Sequence, residues 1–161
     1  MLPEAERALA RVLDVHGGDP WHGWPTTRLL DGVAARQAAA RPKPGVHSIW
    51  EIVLHMTAWT GEVASRLTGA AAKDPVEGDW PPVGEQNDAR WRTAVAALDA
   101  AQRHLEQVVG QVPDERWHAR VGDTRQPPVT TATHLQTLEG LALHHAYHGG
   151  QIGLLKRWLR E

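Results

Sequence analysis

The segment 141–152, LALHHAYHGGQI, constrains this chain more than any other. It places His144, His145 and His148 on what reads as one long helix. A helix turns about 100° per residue, so residues at i and i+4 project from one face. On that rule His148 points almost along the line of Leu141, Ile152, Leu155 and Leu159. His144 and His145 flank the line, one on each side, within about 60° of it. The three imidazoles therefore face a core rather than water. A lone core histidine is commonly satisfied by one hydrogen bond. Several on adjacent turns are costly to bury without a shared partner, and a metal ion is a partner that suits converging ring nitrogens.

Composition narrows the setting. The chain has no cysteine, which removes a disulfide framework, a thiolate zinc site and a cysteine nucleophile. A metal would have to use His, Asp or Glu. At 161 residues the chain has room for one sizeable core and reads as a single domain over 1–161. A formal charge of −2 provides no basic field for a nucleic-acid backbone. The opening MLPEAERALARVLDV is charged and amphipathic without an apolar signal core, and no apolar run approaches a membrane span. The expectation is a cytoplasmic soluble protein with neither nucleic-acid nor membrane partners. Eight Trp against one Tyr and no Phe place several indoles in the core and at least one against a pocket.

Periodicity yields four long helices. Leu2, Ala5, Leu9, Val12 and Leu13 predict a first helix over about 3–15, opened by Pro3 and ended by Gly17 and Gly18. Short helical pieces follow over about 27–40, between the turn-rich DPWHGWP (19–25) and RPKPG (41–45). Ser48 and Glu51 form a capping-box pattern, so a second long helix runs over about 49–68. Its apolar face reads Ile52, His55, Met56, Trp59, Val63. Taken alone, His55 is accounted for as a core histidine bonded to a neighbouring carbonyl. Beside the histidines of the last helix it becomes the natural third ligand.

The Pro- and Gly-containing stretch 69–85 is a long connection that can reach about 50 Å, more than the roughly 30 Å of a twenty-residue helix. The second and third helices therefore need not be antiparallel. The third, over about 87–109, carries a stripe of Trp91, Val95, Leu98, Ala101, Leu105 and Val108. Arg90, Arg92, Arg103 and Glu106 read as solvated surface and His104 as exposed. A second linker, 110–128, includes a helical turn at 113–117, and His118 there has no neighbouring donor. The last helix runs from near Thr131 to about Leu159. Gly149 and Gly150 in its middle cost about 1–2 kcal/mol of helix propensity, which is explained if another backbone or a substrate comes close just beyond His148. The fold class is all-α, a four-helix bundle with long connections.

Three stretches, WHG (21–23), HSIWEIVLHMTAW (47–59) and EGLALHHAYHGGQI (139–152), carry a resemblance that spans nearly the whole chain. The chain resembles the DinB/YfiT-like family of metal-binding four-helix bundles, whose hallmark is a histidine, three residues, a second histidine, then a Gly-Gln-Ile-like run. The resemblance implies an up-down-down-up bundle, frequent dimerisation, and a divalent metal such as zinc or nickel on His55, His144 and His148. His145 stands where the family often has Asn or Asp. Spacing alone leaves a second chelating pair open, since His145 and His148 are i,i+3. The direction of His145, opposite His144 across the Leu141 line, assigns it to the pocket wall or to support behind the ligands.

Three neutral imidazoles leave a divalent metal with its charge intact and at least one position open, which marks catalysis rather than a structural site. One chemistry is a small cellular thiol, of the bacillithiol or mycothiol type that the resemblance implies, bound as thiolate and attacking an electrophilic small molecule. The other is metal-dependent hydrolysis. Hydrolysis also wants a general base, and the core face offers no obvious carboxylate: Glu139 points away and Glu51 serves a cap. That favours a thiol transferase. Trp59, one turn from His55, is a candidate pocket wall, and Gln151 and Tyr147 are candidates to orient substrate or to make plain helix contacts. A third alternative is a non-catalytic, stress-related metal-binding protein.

Overall fold

Three of the four long helices begin where a side chain caps them. In the computed structural model, which describes residues 1–125, 127 and 132–159, α1 spans Pro3–Gly17, α2 Thr26–Leu30, α3 Ala35–Ala39, α4 Ile49–Leu67, α5 Asp88–Val109 and α6 His134–Trp158. Ser48 Oγ accepts from the Glu51 N–H at 3.2 Å while the Ser48 N–H donates to Glu51 Oε2 at 2.8 Å, so two otherwise free helix donors are satisfied. Asn87 Oδ1 accepts from the Arg90 N–H at 2.9 Å at the start of α5. Thr133 and Gln136 repeat the reciprocal box at α6. The expected start near Thr131 and the linker end at Pro128 lie outside the described residues. The Thr133 box explains why α6 begins at His134. α1 has no side-chain cap and opens on Pro3, whose missing N–H costs nothing there.

The described residues contain no strand, only two isolated bridges, Ala72 with Asp123 and Arg120 with Thr133. The fold is all-helical. A short 3₁₀ turn, Asp114–Arg116, lies in the last connection. Arg90, Arg92, Arg103, His104 and Glu106 are exposed, and so is His118, which sits 3.1 Å from Glu4. No helix among the described residues is long and apolar enough to cross a membrane.

α4 packs against α5 and α6, α1 against α6 and α5, and the short α2 and α3 close over α6 and α4 respectively. The apolar interior is divided. One cluster joins Ala8 and Val12 of α1, Val63 and Leu67 of α4, Leu105 and Val109 of α5, Leu138 and Leu141 of α6, and Trp117. The other joins Leu30, Val33 and Ala38 to Trp50, Val53 and Met56 of α4, Trp91 and Leu98 of α5, and Ile152 and Leu155 of α6. α4 and α5 thus enter the second cluster with their N-terminal halves, and α6 enters it with its C-terminal half. Between the clusters lies a buried polar layer of His55, Thr60, Gln102, His145 and His148.

Candidate metal centre

α4 and α6 bring His55, His144 and His148 together. Nε2 of His144 lies 2.9 Å from Nε2 of His55 and 3.0 Å from Nε2 of His148. One ring nitrogen from each residue falls within 4.8 Å of the other two. His55 and His148 are buried and His144 is half-buried. The pair on α6 is the i,i+4 pair, one turn apart.

The outer nitrogens decide what the inner ones can do. His55 Nδ1 is 2.6 Å from the backbone carbonyl of Asp79, which can only accept, so Nδ1 carries the proton and donates. His148 Nδ1 donates to Gln151 Oε1 at 2.7 Å, and the Gln151 amide donates to the Tyr147 hydroxyl at 3.0 Å, which fixes its orientation. Neutral His55 and His148 therefore both aim an Nε2 lone pair at one point. A proton on His144 can serve one of them, never both. Converging lone pairs repel unless a cation lies among them, and neutral imidazoles held by outer hydrogen bonds are the donor set that a zinc- or nickel-like ion takes. The residues fit a metal.

Burial also keeps the rings neutral. His144 is lowered to about 4, first by burial and then by the neighbouring His148 and His55. His55 and His148 are lowered as well, with burial the largest cause in each. A metal-binding imidazole must be unprotonated, so low affinity for protons prepares the site.

His145, the next residue, goes elsewhere. It is fully buried, and its Nε2 lies 3.1 Å from Thr60 Oγ1. The Thr60 hydroxyl proton is committed to the Met56 carbonyl at 2.8 Å, so the His145 Nε2–H donates to Thr60. Its Nδ1 accepts from the Gln102 amide at 3.1 Å. Both nitrogens are used, and burial drives its pKa well down. His145 ties α4, α5 and α6 together and points no free nitrogen at the cluster. Gln102, a polar residue one step from the apolar stripe of α5, was the available signal for this knot.

The connection between α4 and α5 supplies what periodicity could not show. Besides its carbonyl, Asp79 places a carboxylate oxygen 3.3 Å from His55 Nδ1 and accepts from the Trp59 indole N–H at 2.7 Å. Trp80 stacks on His55 with centroids 4.0 Å apart and, through its other face, on His47 at 3.5 Å. His55 is thus held at its edge and on one face by Asp79 and Trp80. The expectation that no carboxylate stands near the site is corrected here: Asp79 arrives from a loop, not a helix face. A Trp and an Asp isolated among prolines, DWPP (79–82), was the trace of it in the sequence.

A cleft of about 370 Å³ opens beside the cluster, lined by His55, His144, Trp59, Asp79, Arg66 and Leu141 among others. Trp59 is therefore a wall of it, with its ring centroid 6.3 Å from that of His55. Arg66 is buried and donates to Glu62 at 3.0 Å, a pair one turn apart on α4. The glycines beyond His148 separate into two cases. A Cβ on Gly149 would meet Leu29 of α2 at 3.5 Å, whereas one on Gly150 would meet nothing within 4 Å. Of the backbone or substrate expected there, neither approaches Gly149 in this chain, where a side chain comes up instead, and no neighbour among the described residues accounts for Gly150.

Compared with known proteins, residues 25–152 match the family model of the DinB superfamily. No curated protein and no solved structure matches the chain.

Proposed function

The chain belongs to the DinB superfamily, and on that premise we propose that it holds a divalent metal, zinc or nickel, on His55, His144 and His148 and uses it to activate a small cellular thiol against an electrophile. The observation that carries the reading is the pair of outward protons on His55 and His148, which leaves their inner lone pairs converging beside His144. A bound divalent cation supplies positive charge that favours the thiolate form of a thiol at neutral pH. The chain's own residues do the rest. Asp79, Trp80 and Gln151 hold two of the rings in place, and Trp59 and Leu141 give the cleft an apolar wall for the electrophile. In this reading the protein is one cytoplasmic domain. The way α4 and α5 divide their halves between the two apolar clusters in one direction and α6 in the other supports the down-down-up part of an up-down-down-up bundle.

The test is elemental analysis of the purified protein, then titration of its cobalt-substituted form with bacillithiol, mycothiol or glutathione. A thiol that shifts the cobalt spectrum and conjugates monobromobimane faster than the uncatalysed reaction, with loss of activity on chelation and in His148→Ala, meets the reading. A second reading, metal-dependent hydrolysis, gains from Asp79, because its carboxylate lines the same cleft and supplies a base within reach. It wins if no thiol moves the spectrum while esters or amides are hydrolysed and Asp79→Asn abolishes turnover with the metal retained.

A further inference from the structure

Arg66 is the one permanent cation among the described walls of the cleft beside the cluster. It is 8 % exposed, and Glu62, one turn before it on α4, is 5 % exposed. A buried ion pair is a weak device for stability alone, because apolar side chains of the same volume serve as well. Part of the pair has a plain structural task. Glu62 Oε1 accepts both from Arg66 Nε and from the Lys73 backbone N–H, each at 3.0 Å. Arg66 Nη2 donates to the Lys73 carbonyl at 3.2 Å. Together they clamp the start of the α4–α5 connection onto α4. That task uses two of the five N–H donors of a guanidinium. The two on Nη1 and one on Nη2 have no partner among the described residues.

The place of these spare donors gives them a use. Side chains lean toward the N-terminus of their helix, and the Arg66 guanidinium carbon lies 5.6 Å from the ring centroid of Trp59, two turns earlier. The same indole is 6.3 Å from the His55 ring and 6.4 Å from the His144 ring. Guanidinium and cluster are thus separated by one indole. Glu62 is not a wall of this cleft, and Val63 and Leu141 are, so the guanidinium meets the cleft in apolar surroundings with its counter-ion behind it. Asp79 is the one carboxylate on the walls, and it is held by the Trp59 indole N–H at 2.7 Å.

We propose that Arg66 sets the specificity of this cleft, and that the small molecule bound over the cluster carries a carboxylate, one indole's width from the atom that meets the metal. The inference rests on the metal reading for the other end of that molecule. The fork of parallel donors on Nη1 and Nη2 matches the two oxygens of a carboxylate. Apolar walls strengthen such a contact by keeping water from it. A dianionic phosphate fits less well, because Asp79 keeps a negative charge in the same cleft and Glu62 already balances Arg66.

The experiment titrates the cobalt-substituted protein with mercaptohexanoate and with mercaptohexanamide, its neutral counterpart of equal length. The acid should bind about tenfold more tightly, the usual worth of a hydrogen bond to a charged group. Glu62→Gln combined with Arg66→Gln removes both charges together; it should hold cobalt as the wild type does and bind acid and amide alike. Arg66→Lys keeps the charge without the fork and should retain a smaller preference. Mercaptoacetate, too short to pass the indole, should bind no better than mercaptoacetamide. A purely structural Arg66 would leave the ratio of acid to amide unchanged, so an unchanged ratio in the double variant overturns the proposal. Equal binding of acid and amide by the wild type overturns it as well. Circular dichroism and cobalt content of each variant separate lost recognition from lost folding. In the metal-free protein, hexanoate but not hexanamide should shift the indole N–H resonance of Trp59, assigned through Trp59→Phe. That shift, beside thiols that leave the cobalt spectrum untouched, would sink the metal reading and keep the carboxylate site. Cobalt-bound thiols indifferent to their carboxylate would sink the site and keep the metal.

Discussion

His144 and His145 are consecutive on α6, and the molecule treats them in opposite ways. His145 finds a hydroxyl from α4 on one nitrogen and an amide from α5 on the other, so it is complete within the protein. His144 meets only the Nε2 atoms of His55 and His148, so its inner nitrogen is not. Direction along a helix turns both rings inward, His145 fully and His144 by half; what the neighbouring helices present decides which is tied into the structure and which joins the cluster.

The largest expected effect is on metal content. His55→Ala, His144→Ala and His148→Ala should each lower affinity by more than about 100-fold, beyond the usual cost of a supporting residue, and should emerge from dialysis without metal by elemental analysis. His145→Ala should keep its metal. If His145→Ala loses the metal and His144→Ala retains it, the roles are reversed and the comparison collapses.

Stability should show the opposite ranking. In the metal-free protein His145→Ala leaves a cavity and strips Thr60 and Gln102 of their partner, at a cost of about 2–4 kcal/mol in denaturant unfolding. His144→Ala should cost less than about 1 kcal/mol, because it removes one of three ring nitrogens that compete for a single proton and relieves their crowding.

A smaller effect tests the loop. Trp80→Ala should weaken metal binding about tenfold by freeing one face of His55. Asp79→Ala should do less, since the carbonyl that receives the Nδ1 proton is backbone and remains. Competition with a chromophoric chelator measures both, and equal losses would mean the carboxylate, not the carbonyl, orients His55.

The last effect is on pH. An unfolded imidazole titrates near 6.5, while the folded metal-free chain holds His144 at about 4. Between those values the unfolded state binds a proton that the folded state refuses. The stability of the metal-free protein should therefore be full above about pH 6.5 and decline as pH falls toward 4. With protons bound so weakly, metal release should have its midpoint below the 6.5 of a free imidazole. Release at or above that value, followed with a chromophoric chelator, would show that the rings are not desolvated as described.

Much of this was legible in the sequence because it is periodic. The i,i+4 spacing and the Leu141 line put His144 and His148 on one buried face, and Ser48 and Glu51 fixed the start of α4. The Thr133–Gln136 box is the same signal and sets the start of α6 at His134. Direction across the Leu141 line set His145 apart from His144, but how His145 is satisfied was not local. It rests on Thr60 and Gln102, which lie on other helices and reach His145 only after folding. Asp79 and Trp80 sit in a stretch with no period, so nothing in their spacing points to His55. A loop reports its contacts only through the fold.

The polar layer that divides the interior also divides what substitution can disturb. Leu138 and Leu141 pack below it, Ile152 and Leu155 above it, and residues that share no neighbours contribute nearly independently. Drift in one apolar cluster need not be answered in the other. The histidine layer is bound by directional contacts of its own, so it stays in register while the packing on either side changes. A lineage built this way can rework most of its hydrophobic residues piecemeal and inherit the site unchanged.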